Sequence, residues 1–535
     1  MWVKSGTYFP EDTIPDPASY NFSKADSLRM TAFILKNNVY LYGGFLGYET
    51  SIDQRQRQDI NHNDTIEPWE YLNQTILTGN INSPSVSTDN CFHVIYGSSA
   101  EKELCFINGF IIKDGNSEII PNGISFPIIQ GAGAIDANIE NCIITQNNAL
   151  NSGGGLKGCF VKNSLIYNNV ARHCGGILSS EAYNCIIRKN FSSGETGGVT
   201  ESYCYKCVID SNKSFNGAGV GYGGFCYKCI ISSNVAQNMG GGLFATNAQS
   251  CLIINNKAGE LGGAGEAMHG AFSSYSTLTN CIIVNNQAPE FGGTRTYHLI
   301  NCIVARNKGG VYGGGGAFLS NIYNSILWGN SGNQCNADGN YAYCAIQGGY
   351  KGANNILLDT TNMNGPMFVN PSDSIGNVVT KEGLKYILNA NWSLLSGSRC
   401  IDSGNYKFVP DSIKEDFGGN IRIMGTNVDI GAHEFPGAQF INPGPETSIY
   451  DVNSIKSEAI KVYPTITNNN LFVESLNDEI SQVVIVSSAG SRLLYKADNT
   501  KLKIVSMKDL KSGVYFIIVY HDKEVVAIKK VIKVE

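Results

Sequence analysis

The chain has 535 residues and a formal net charge of −6, from 39 Lys and Arg against 45 Asp and Glu. This acidic balance disfavours recruitment to nucleic acid or to an anionic membrane surface, and the longest apolar run, GVYFIIVY, is too short to span a bilayer. With 60 Gly, 27 Tyr and 23 Phe but only 16% charged residues, the composition favours turn-rich β structure over helices stabilised by charge pairs.

The first 90 residues are the least regular part of the sequence. They contain strand-like runs, such as NNVYLYGGF and QTILTGNI, separated by a polar insertion around residues 51–73. The opening MWVKSGTYFPEDT has neither the basic stretch nor the apolar core of a secretory signal. Either the chain stays inside the cell, or the sequence begins downstream of its true start.

A repeat of about 22 residues follows, with regular copies from about residue 91 to 350. Its mark is the motif NCII, with Asn five residues after the Cys or Ser that anchors each copy. The nine anchors are Cys142, Ser164, Cys185, Cys207, Cys229, Cys251, Cys281, Cys302 and Ser325. The nine asparagines are Asn147, Asn169, Asn190, Asn212, Asn234, Asn256, Asn286, Asn307 and Asn330. Short aliphatic runs at this period predict the coils of a parallel β-helix, in which the asparagines form a structural ladder of stacked amides.

Two further positions recur in the copies of the repeat, and a position compared across the copies is termed here a column. Nine residues before the anchor lies Gly in seven copies, and Val220 and Phe272 are the exceptions. We expect these glycines to supply positive φ at a turn. Three residues before the anchor lies an aliphatic residue, except at Cys204 and Cys226.

The two CYKC motifs, residues 204–207 and 226–229, have the spacing of a four-thiolate zinc site. However, the first cysteine of each motif occupies the otherwise aliphatic column, and free cysteine packs as a small hydrophobe. We therefore favour core packing over a structural zinc ion or a ladder of disulfides, and we expect no metal and no cofactor.

Few residues in the coils suit catalysis. Arg188 and Asp210 both lie three residues after their anchors, in adjacent coils. They could form a functional site, but we favour an exposed ion pair between the two coils. One step of the repeat is 30 residues long, and its insertion, KAGELGGAGEAMHGAFSSYS, holds Glu260, Glu266 and His269, which could act as acid and base. A solvated loop without function is the simpler interpretation.

The N-terminal runs and the NCII coils together resemble secreted bacterial right-handed β-helix proteins of the pectate-lyase-like superfamily. The segment CIDSGN…EDFGGNIRIMGTNVDIGAHEF is similar to their choice-of-anchor Q ending. Its matching residues are Asp402, Gly404, Asn405, Asp416, Gly419, Asn420, Arg422, Asp429, Ile430, Gly431 and Glu434. This resemblance covers residues 1–435. It implies a β-helix over residues 1–440, with final coils and a cap at residues 351–440, and a truncated N-terminus.

After a Pro- and Gly-containing linker, residues 441–455, alternating strand patterns predict a small antiparallel β-sandwich over residues 456–535. This part resembles the C-terminal sorting domain of the type IX secretion system. The residues that match the sorting signal are Val462, Tyr463, Pro464, Gly513, Val514, Tyr515, Lys529 and Lys530, with Leu510 beside them. The resemblance implies handling by that secretion machinery, removal of the domain, and an extracellular or outer-membrane location.

The sequence therefore predicts an all-β exported surface protein for adhesion or glycan binding, without catalysis. Tyr222, Tyr227 and Tyr297 are candidate exposed rings for a glycan or host-surface ligand. The alternatives are a polysaccharide lyase or glycoside hydrolase on the same fold, or a structural spacer, because the fold alone does not decide function.

Overall fold

The computed structural model describes residues 1–14, 28–82, 86–97, 106–117, 130–267, 276–310, 313–336, 339–359, 364–435, 460–463, 466–467, 470–475, 480–487, 492–508, 510, 513–521 and 524–533. The chain divides into two compact units, Met1–Ile60 with Ile66–Pro445, and Asn61–Thr65 with Glu446–Glu535. The predicted linker at residues 441–455 lies outside the described residues, so the predicted domain boundaries remain predictions.

The larger unit is a parallel β-helix, which confirms the fold predicted from the repeat. Each coil adds one short strand to each of three sheets, and each strand pairs with its equivalents in the coils before and after. Ile209, for example, pairs with Ile187 and Ile231. In the described part of these sheets, pairing is parallel except between Asp12–Thr13 and Thr31–Ile34.

Three long sheets and one shorter sheet form the sides of the coils. The strand that precedes each anchor belongs to sheet A, whose described strands are Trp2–Lys4, Tyr40–Phe45, Phe106–Asn108, Asn138–Glu140, Phe160–Lys162, Glu181–Tyr183, Tyr203–Tyr205, Phe225–Tyr227, Asn247–Gln249, Thr277–Thr279, His298–Ile300, Asn321–Tyr323 and Asn340–Ala342. The strand that follows each anchor belongs to sheet B, whose described strands are Gly6–Tyr8, Thr75–Thr78, Ile111–Lys113, Ile143–Thr145, Leu165–Tyr167, Ile186–Arg188, Val208–Asp210, Ile230–Ser232, Leu252–Ile254, Ile282–Val284, Ile303–Ala305, Ile326–Trp328, Ala345–Gln347 and Ile356–Leu358.

The remaining two sheets consist mostly of two-residue strands. Sheet C contains Asp12–Thr13, Thr31–Ile34, Ile95–Tyr96, Ala134–Ile135, Leu156–Lys157, Ile177–Leu178, Val199–Thr200, Val220–Gly221, Leu243–Phe244, Gly265–Glu266, Thr294–Arg295 and Ala317–Phe318. Sheet D, which follows the asparagine column, contains Asn148–Ala149, Val170–Ala171, Phe191–Ser192, Lys213–Ser214, Val235–Ala236 and Lys257–Ala258.

Like side chains stack over one another inside the coils. Cys204 and Cys226 pair in adjacent strands of sheet A, and both are fully buried. The second cysteine of each CYKC motif bonds to the backbone, since Cys207 N donates to Cys229 Sγ over 3.4 Å and that thiol donates to Cys204 O. Every described cysteine is buried and free, and no three His, Cys, Asp or Glu side chains of the described residues are grouped to hold a metal ion.

The asparagine column forms a continuous chain of hydrogen bonds along the helix. Asn212 Nδ2 donates to Asn234 Oδ1 over 3.0 Å and to Ile187 O over 2.9 Å. The bond between neighbouring side chains repeats at every step from Asn147 to Asn330. These fully or nearly fully buried amides therefore satisfy one another and the backbone at the corner between sheets B and D.

The expectation that the glycine column supplies positive φ is wrong. None of Gly133, Gly155, Gly176, Gly198, Gly242, Gly293 and Gly316 has a positive φ. A Cβ at Gly198 would instead lie 2.9 Å from Asn212 Nδ2 and 2.5 Å from a backbone oxygen of the next coil, so the missing side chain makes room for the ladder. Where Val220 interrupts the column, Gly219 takes this place beside Asn234. Positive φ belongs to corner residues such as Lys206, at 55°.

Residues 364–435 fold back onto the outer face of sheet B. They contain an antiparallel pair of strands, Phe368–Asn370 and Asn391–Leu394, the α-helix Lys381–Leu388 and the 3-10 helix Tyr406–Phe408; two further 3-10 helices, Ile52–Gln54 and Ser87–Asp89, lie in the N-terminal region. Trp392 and Ile387 join a hydrophobic cluster with Leu252 and Ile282 of sheet B. No described helix is long and apolar enough to cross a membrane.

A buried group of charges lies near the end of this segment. Arg422 is 1% exposed, lies 3.4 Å from Glu434 Oε1 and donates to the backbone oxygens of Asp429 and Gly431. Burial raises the pKa of Glu434 to about 8 and that of Asp429 to about 6. The choice-of-anchor resemblance of this segment remains a prediction.

The smaller unit consists of two sheets around their own core. One sheet contains Ile460–Tyr463, Asn470–Ser475 and Leu502–Ser506, and the other contains Ile466–Thr467, Ile480–Ser487, Arg492–Thr500, Gly513–His521 and Glu524–Lys533. Pairing is antiparallel except between Ile466–Thr467 and Glu524–Lys533. Alternate residues such as Val483, Ile485, Ile517 and Val519 form the core, as the strand patterns predict.

Candidate functional site

Six aromatic side chains lie on the outer face of sheet A. They belong to four successive strands and are termed here the aromatic strip: Phe160, Tyr183, Tyr203, Tyr205, Phe225 and Tyr227. The central residue of each strand, such as Val161 or Cys204, is fully buried in the core. Because side chains alternate along a strand, the residues on either side of it point away from the core.

Strand pairing arranges these rings in two columns. Tyr203 pairs with Phe225 in one column, and Tyr205 pairs with Tyr183 and Tyr227 in the other. The rings of Tyr183 and Tyr205 stack, with centroids 4.6 Å apart and planes 7° apart, whereas Tyr227 meets Tyr205 edge-on at 6.4 Å. Tyr203 is the most exposed ring of the strip, at 51%.

Hydroxyl groups add polar character to the strip. Tyr183 OH donates to Glu181 Oε2 over 3.2 Å. The hydroxyls of Tyr203 and Tyr205 have no hydrogen-bond partner among the described residues. The strip therefore combines apolar ring surface with free hydroxyls, which suits a ligand that is itself apolar on its faces and polar at its edges.

Two lysines beside the strip are paired with carboxylates. Lys162 lies 3.3 Å from Glu140 Oε1, and Lys228 lies 3.0 Å from Glu415 Oε2. Lys228 also lies over the ring of Tyr227, 5.4 Å from its centroid. Both amines are thus partly neutralised by neighbouring side chains.

Of the three tyrosines proposed from the sequence as exposed rings, only Tyr227 belongs to the strip. Tyr222 is half-buried and packs edge-on against Phe244, with centroids 5.2 Å apart. Tyr297 is fully buried, so its predicted exposure is wrong. Its ring fills the space beside Gly265, where a Cβ would lie 3.0 Å from the ring.

The signal for the strip is present in the repeat. Positions two and four before the anchor hold Tyr183, Tyr203, Tyr205, Phe225 and Tyr227 in three consecutive copies. Four of them, Tyr203, Tyr205, Phe225 and Tyr227, lie directly beside the first cysteine of a CYKC motif. The first cysteine of each motif is the inward residue of an alternating strand, and the aromatic residues on either side of it form the outward, exposed surface.

The structure brings Arg188 and Asp210 together, as their shared column predicts. Arg188 Nη2 lies 3.0 Å from Asp210 Oδ2, and Ser211 Oγ donates to the same oxygen. The pair is not exposed as expected, because Asp210 is buried and Arg188 is half-buried. Burial raises the pKa of Asp210 against the opposing effect of Arg188.

The residues of the long insertion are not assembled into one site. Glu260 is exposed and has no described contact with Glu266, and His269 lies outside the described residues. Glu266 is buried in sheet C, where Oε1 accepts from Arg295 Nη1 over 3.0 Å and from Thr296 Oγ1 over 3.4 Å. Burial raises the pKa of Glu266 to about 7, despite Arg295.

An open groove adjoins this buried pair. It has a volume of about 410 Å³ and is lined by Arg295, Phe291, Phe318 and Asn336, among others. Only 5% of the Glu266 side chain is exposed. The carboxyl group is therefore poorly placed to exchange a proton with a molecule in the groove.

In the smaller unit, the residues of the predicted sorting signal occupy strands. Val462 and Tyr515 are buried in its core. By backbone position, Tyr463 ends the strand Ile460–Tyr463, Gly513 and Val514 begin Gly513–His521, and Lys529 and Lys530 lie in Glu524–Lys533. Pro464 lies outside the described residues.

The long parallel sheets define the chain as a parallel β-helix protein with an appended β-sheet unit. Residues 461–534 match the secretion system C-terminal sorting domain family. The chain therefore carries a sorting domain of the type IX secretion system and is a secreted or cell-surface protein.

Solved structures include similar folds. The crystal structure of pectate lyase Pel9A aligns with 81% of this chain and 87% of that chain, at 11% identity and a TM-score of 0.30. The complex structure of XylC with xylose aligns with 64% of this chain and 66% of that chain, at 12% identity and a TM-score of 0.32. A comparison with curated proteins finds no match. Identities this low transfer no activity to this chain.

Proposed function

We propose that this protein is an exported surface protein whose β-helix binds glycans through the aromatic strip without cutting them. The observation that carries the proposal is the exposure of Tyr203 at the centre of a contiguous aromatic surface. Contiguous apolar patches on soluble proteins mark interaction sites. Sugars have apolar C–H faces and hydroxyl rims, which the free hydroxyls of Tyr203 and Tyr205 complement.

The contacts of the candidate acids favour binding over catalysis. Glycoside hydrolysis generally uses two carboxyl groups on either side of the scissile bond. Asp210 is already bonded to Arg188, and Glu266 is buried against Arg295. Within the strip, Glu181 already accepts a hydrogen bond from Tyr183.

Export places this surface in contact with polysaccharides outside the cell. The sorting domain would deliver the β-helix through the type IX machinery and would then be removed, leaving a mature protein that ends near residues 441–456. Peptide mapping of the secreted protein tests this step, because a mature form that retains Glu535 contradicts removal.

Binding is tested with the full chain and a panel of pectin, alginate, glycosaminoglycans and neutral plant polysaccharides in affinity electrophoresis. We expect at least one to bind, and Tyr203→Ala to weaken binding by about tenfold or more. Phe215→Ala is the matched control, because Phe215 is 46% exposed but lies on the turn after sheet D. Equal binding by both variants contradicts the role of the strip.

Catalysis is tested on the same mixtures by assays for new reducing ends and unsaturated products. We expect neither product. Release of either would replace the binding proposal with a polysaccharide lyase or glycoside hydrolase.

A further inference from the structure

We infer that the ligand of the aromatic strip is an uncharged polysaccharide that lies along the helix axis, across successive coils. This inference rests on the proposed function and specifies the chemistry and the direction of its ligand.

The charges around the strip disfavour an acidic ligand. Lys162 and Lys228 are already paired with carboxylates. The charged side chains that remain are Glu181 and Glu201 on one side and Lys206 on the other, all exposed. The border of the strip therefore carries a surplus of negative charge, and a polyanion would meet like charge rather than a cationic cradle.

Glu181 has the decisive position among these charges. Its backbone pairs with Phe160 and Tyr203 in the same column, and its Oε2 accepts a hydrogen bond from Tyr183 OH in the other column, so the carboxylate lies within the strip. A polysaccharide that contacts both rings must pass this carboxylate. An acidic sugar at that point would be repelled, whereas a hydroxyl of a neutral sugar can donate a hydrogen bond to it.

The shape of the strip indicates the direction in which a polysaccharide would lie on it. It extends over four strands in successive coils, each roughly 4.8 Å from the next, but only two outward positions lie on each strand, about 7 Å apart. A polysaccharide along the helix axis meets rings in every coil, whereas one that follows a strand meets rings of a single coil. The larger aromatic contact is therefore made along the axis.

Polar residues mark both ends of the strip. On one side Phe160 pairs with Asn138, and on the other Phe225 and Tyr227 pair with Asn247 and Gln249. Aromatic contact therefore stops after four coils. We expect affinity to rise as an oligosaccharide lengthens to about four sugars and then to level off, because further sugars would find no further rings.

The test uses the full chain and isothermal titration calorimetry. The neutral probes are β-1,4-linked gluco-, manno- and xylo-oligosaccharides of two to six sugars, and the acidic probes are oligogalacturonates of the same lengths. We expect at least one neutral series to bind, with affinity rising to about four sugars, and acidic probes to bind at least about tenfold more weakly. Tyr203→Ala should weaken neutral binding by about tenfold.

Glu181→Gln separates charge from shape, because it keeps the size of the side chain and removes its negative charge. We expect the ratio of neutral to acidic affinity to fall by about fivefold or more in this variant, because an acidic sugar no longer meets like charge at this position. Thermal unfolding followed by circular dichroism checks that the variant is folded.

The outcomes distinguish the inference from the function on which it rests. Acidic probes that bind the unmodified protein as tightly as neutral ones, and lose binding in Tyr203→Ala, overturn the inference and leave the proposed function standing. An affinity independent of oligosaccharide length overturns the axial direction. Binding that is absent for all probes, or that is unchanged in Tyr203→Ala, overturns the proposed function itself.

Discussion

Asn212 Nδ2 donates a hydrogen bond to Oδ1 of Asn234, which lies one coil further along the helix, over 3.0 Å. The Oδ1 of Asn212 in turn accepts from the backbone N and from Nδ2 of Asn190. All three side chains are fully buried. Loss of one amide therefore leaves donors of the neighbouring coil without a partner and out of reach of water.

The first prediction is that Asn212→Ala lowers the free energy of unfolding by about 2–5 kcal/mol, since two buried donors lose their acceptor. Urea denaturation followed by circular dichroism measures this. The matched control is Asn340→Ala, because Asn340 is exposed and bonds to Asn321 at the surface. We expect the control to change stability by less than about 0.5 kcal/mol. Equal effects of the two variants would show that the ladder does not stabilise the coils.

The second prediction concerns the pH dependence of stability through Glu266. Burial raises the pKa of its carboxyl to about 7, above the ordinary 4.5, so the folded state holds this proton more tightly than the unfolded state. The contribution of this proton to the free energy of unfolding is fully present below pH 4.5 and is lost as the pH rises to about 7. For this difference in pKa the contribution is about 3 kcal/mol.

Glu266→Gln removes the titrating group and keeps an acceptor for Arg295. The variant should therefore gain stability relative to the unmodified protein as the pH rises from 5 to 8. Urea midpoints of the variant and of the unmodified protein at pH 5 and at pH 8 measure this difference in stability. Asp429 and Glu434 titrate in both proteins, so their contributions cancel in the comparison. A stability difference that is the same at both pH values contradicts the prediction.

The coils were predictable because their inward positions recur at a fixed spacing. Ile187, Ile209 and Ile231 lie at one place in three consecutive repeats, and the structure pairs them directly. The function of the glycine column was not predictable in the same way. A glycine needed for a positive φ and one needed for its missing side chain look alike in a sequence, and Gly198 is of the second kind.

The repeat contains the signal for the aromatic strip, but the burial of a single aromatic residue also depends on contacts between coils. Tyr297 and Tyr203 are both tyrosines in the strand-rich part of a coil, yet one is fully buried and the other is half exposed. The difference for Tyr297 comes from Gly265, a residue of the preceding coil that leaves space for the ring. Likewise, the packing of residues 364–435 on sheet B depends on contacts between distant parts of the sequence. One example is the hydrogen bond that Asn285 Nδ2 donates to Ser374 O, which no local sequence pattern reveals.

The third prediction concerns the Arg188–Asp210 pair. Arg188→Ala should lower the free energy of unfolding by about 1–3 kcal/mol, because it leaves the buried carboxylate of Asp210 without its cation. The double variant Arg188→Ala with Asp210→Ser should recover most of this loss, since Ser232 occupies the same column in the next coil. Urea denaturation of both variants measures the coupling, and a double variant less stable than Arg188→Ala would contradict the prediction.

The fourth prediction concerns thiol reactivity. The thiolate is the reactive form of cysteine. Burial raises the pKa of Cys142 to about 12, whereas hydrogen bonds with Cys204 and Cys229 lower the pKa of Cys226 to about 7, so it is exclusion of the reagent by burial, not a uniformly high pKa, that protects the thiols. All fifteen described cysteines are buried and free, whereas Cys105 lies outside the described residues. In a Cys105→Ser variant, we therefore expect no thiol to react with Ellman's reagent under native conditions and all fifteen to react in denaturant. Several fast-reacting thiols in the folded variant, or fewer than fifteen after unfolding without reductant, would show that the columns are open to solvent or cross-linked by disulfides.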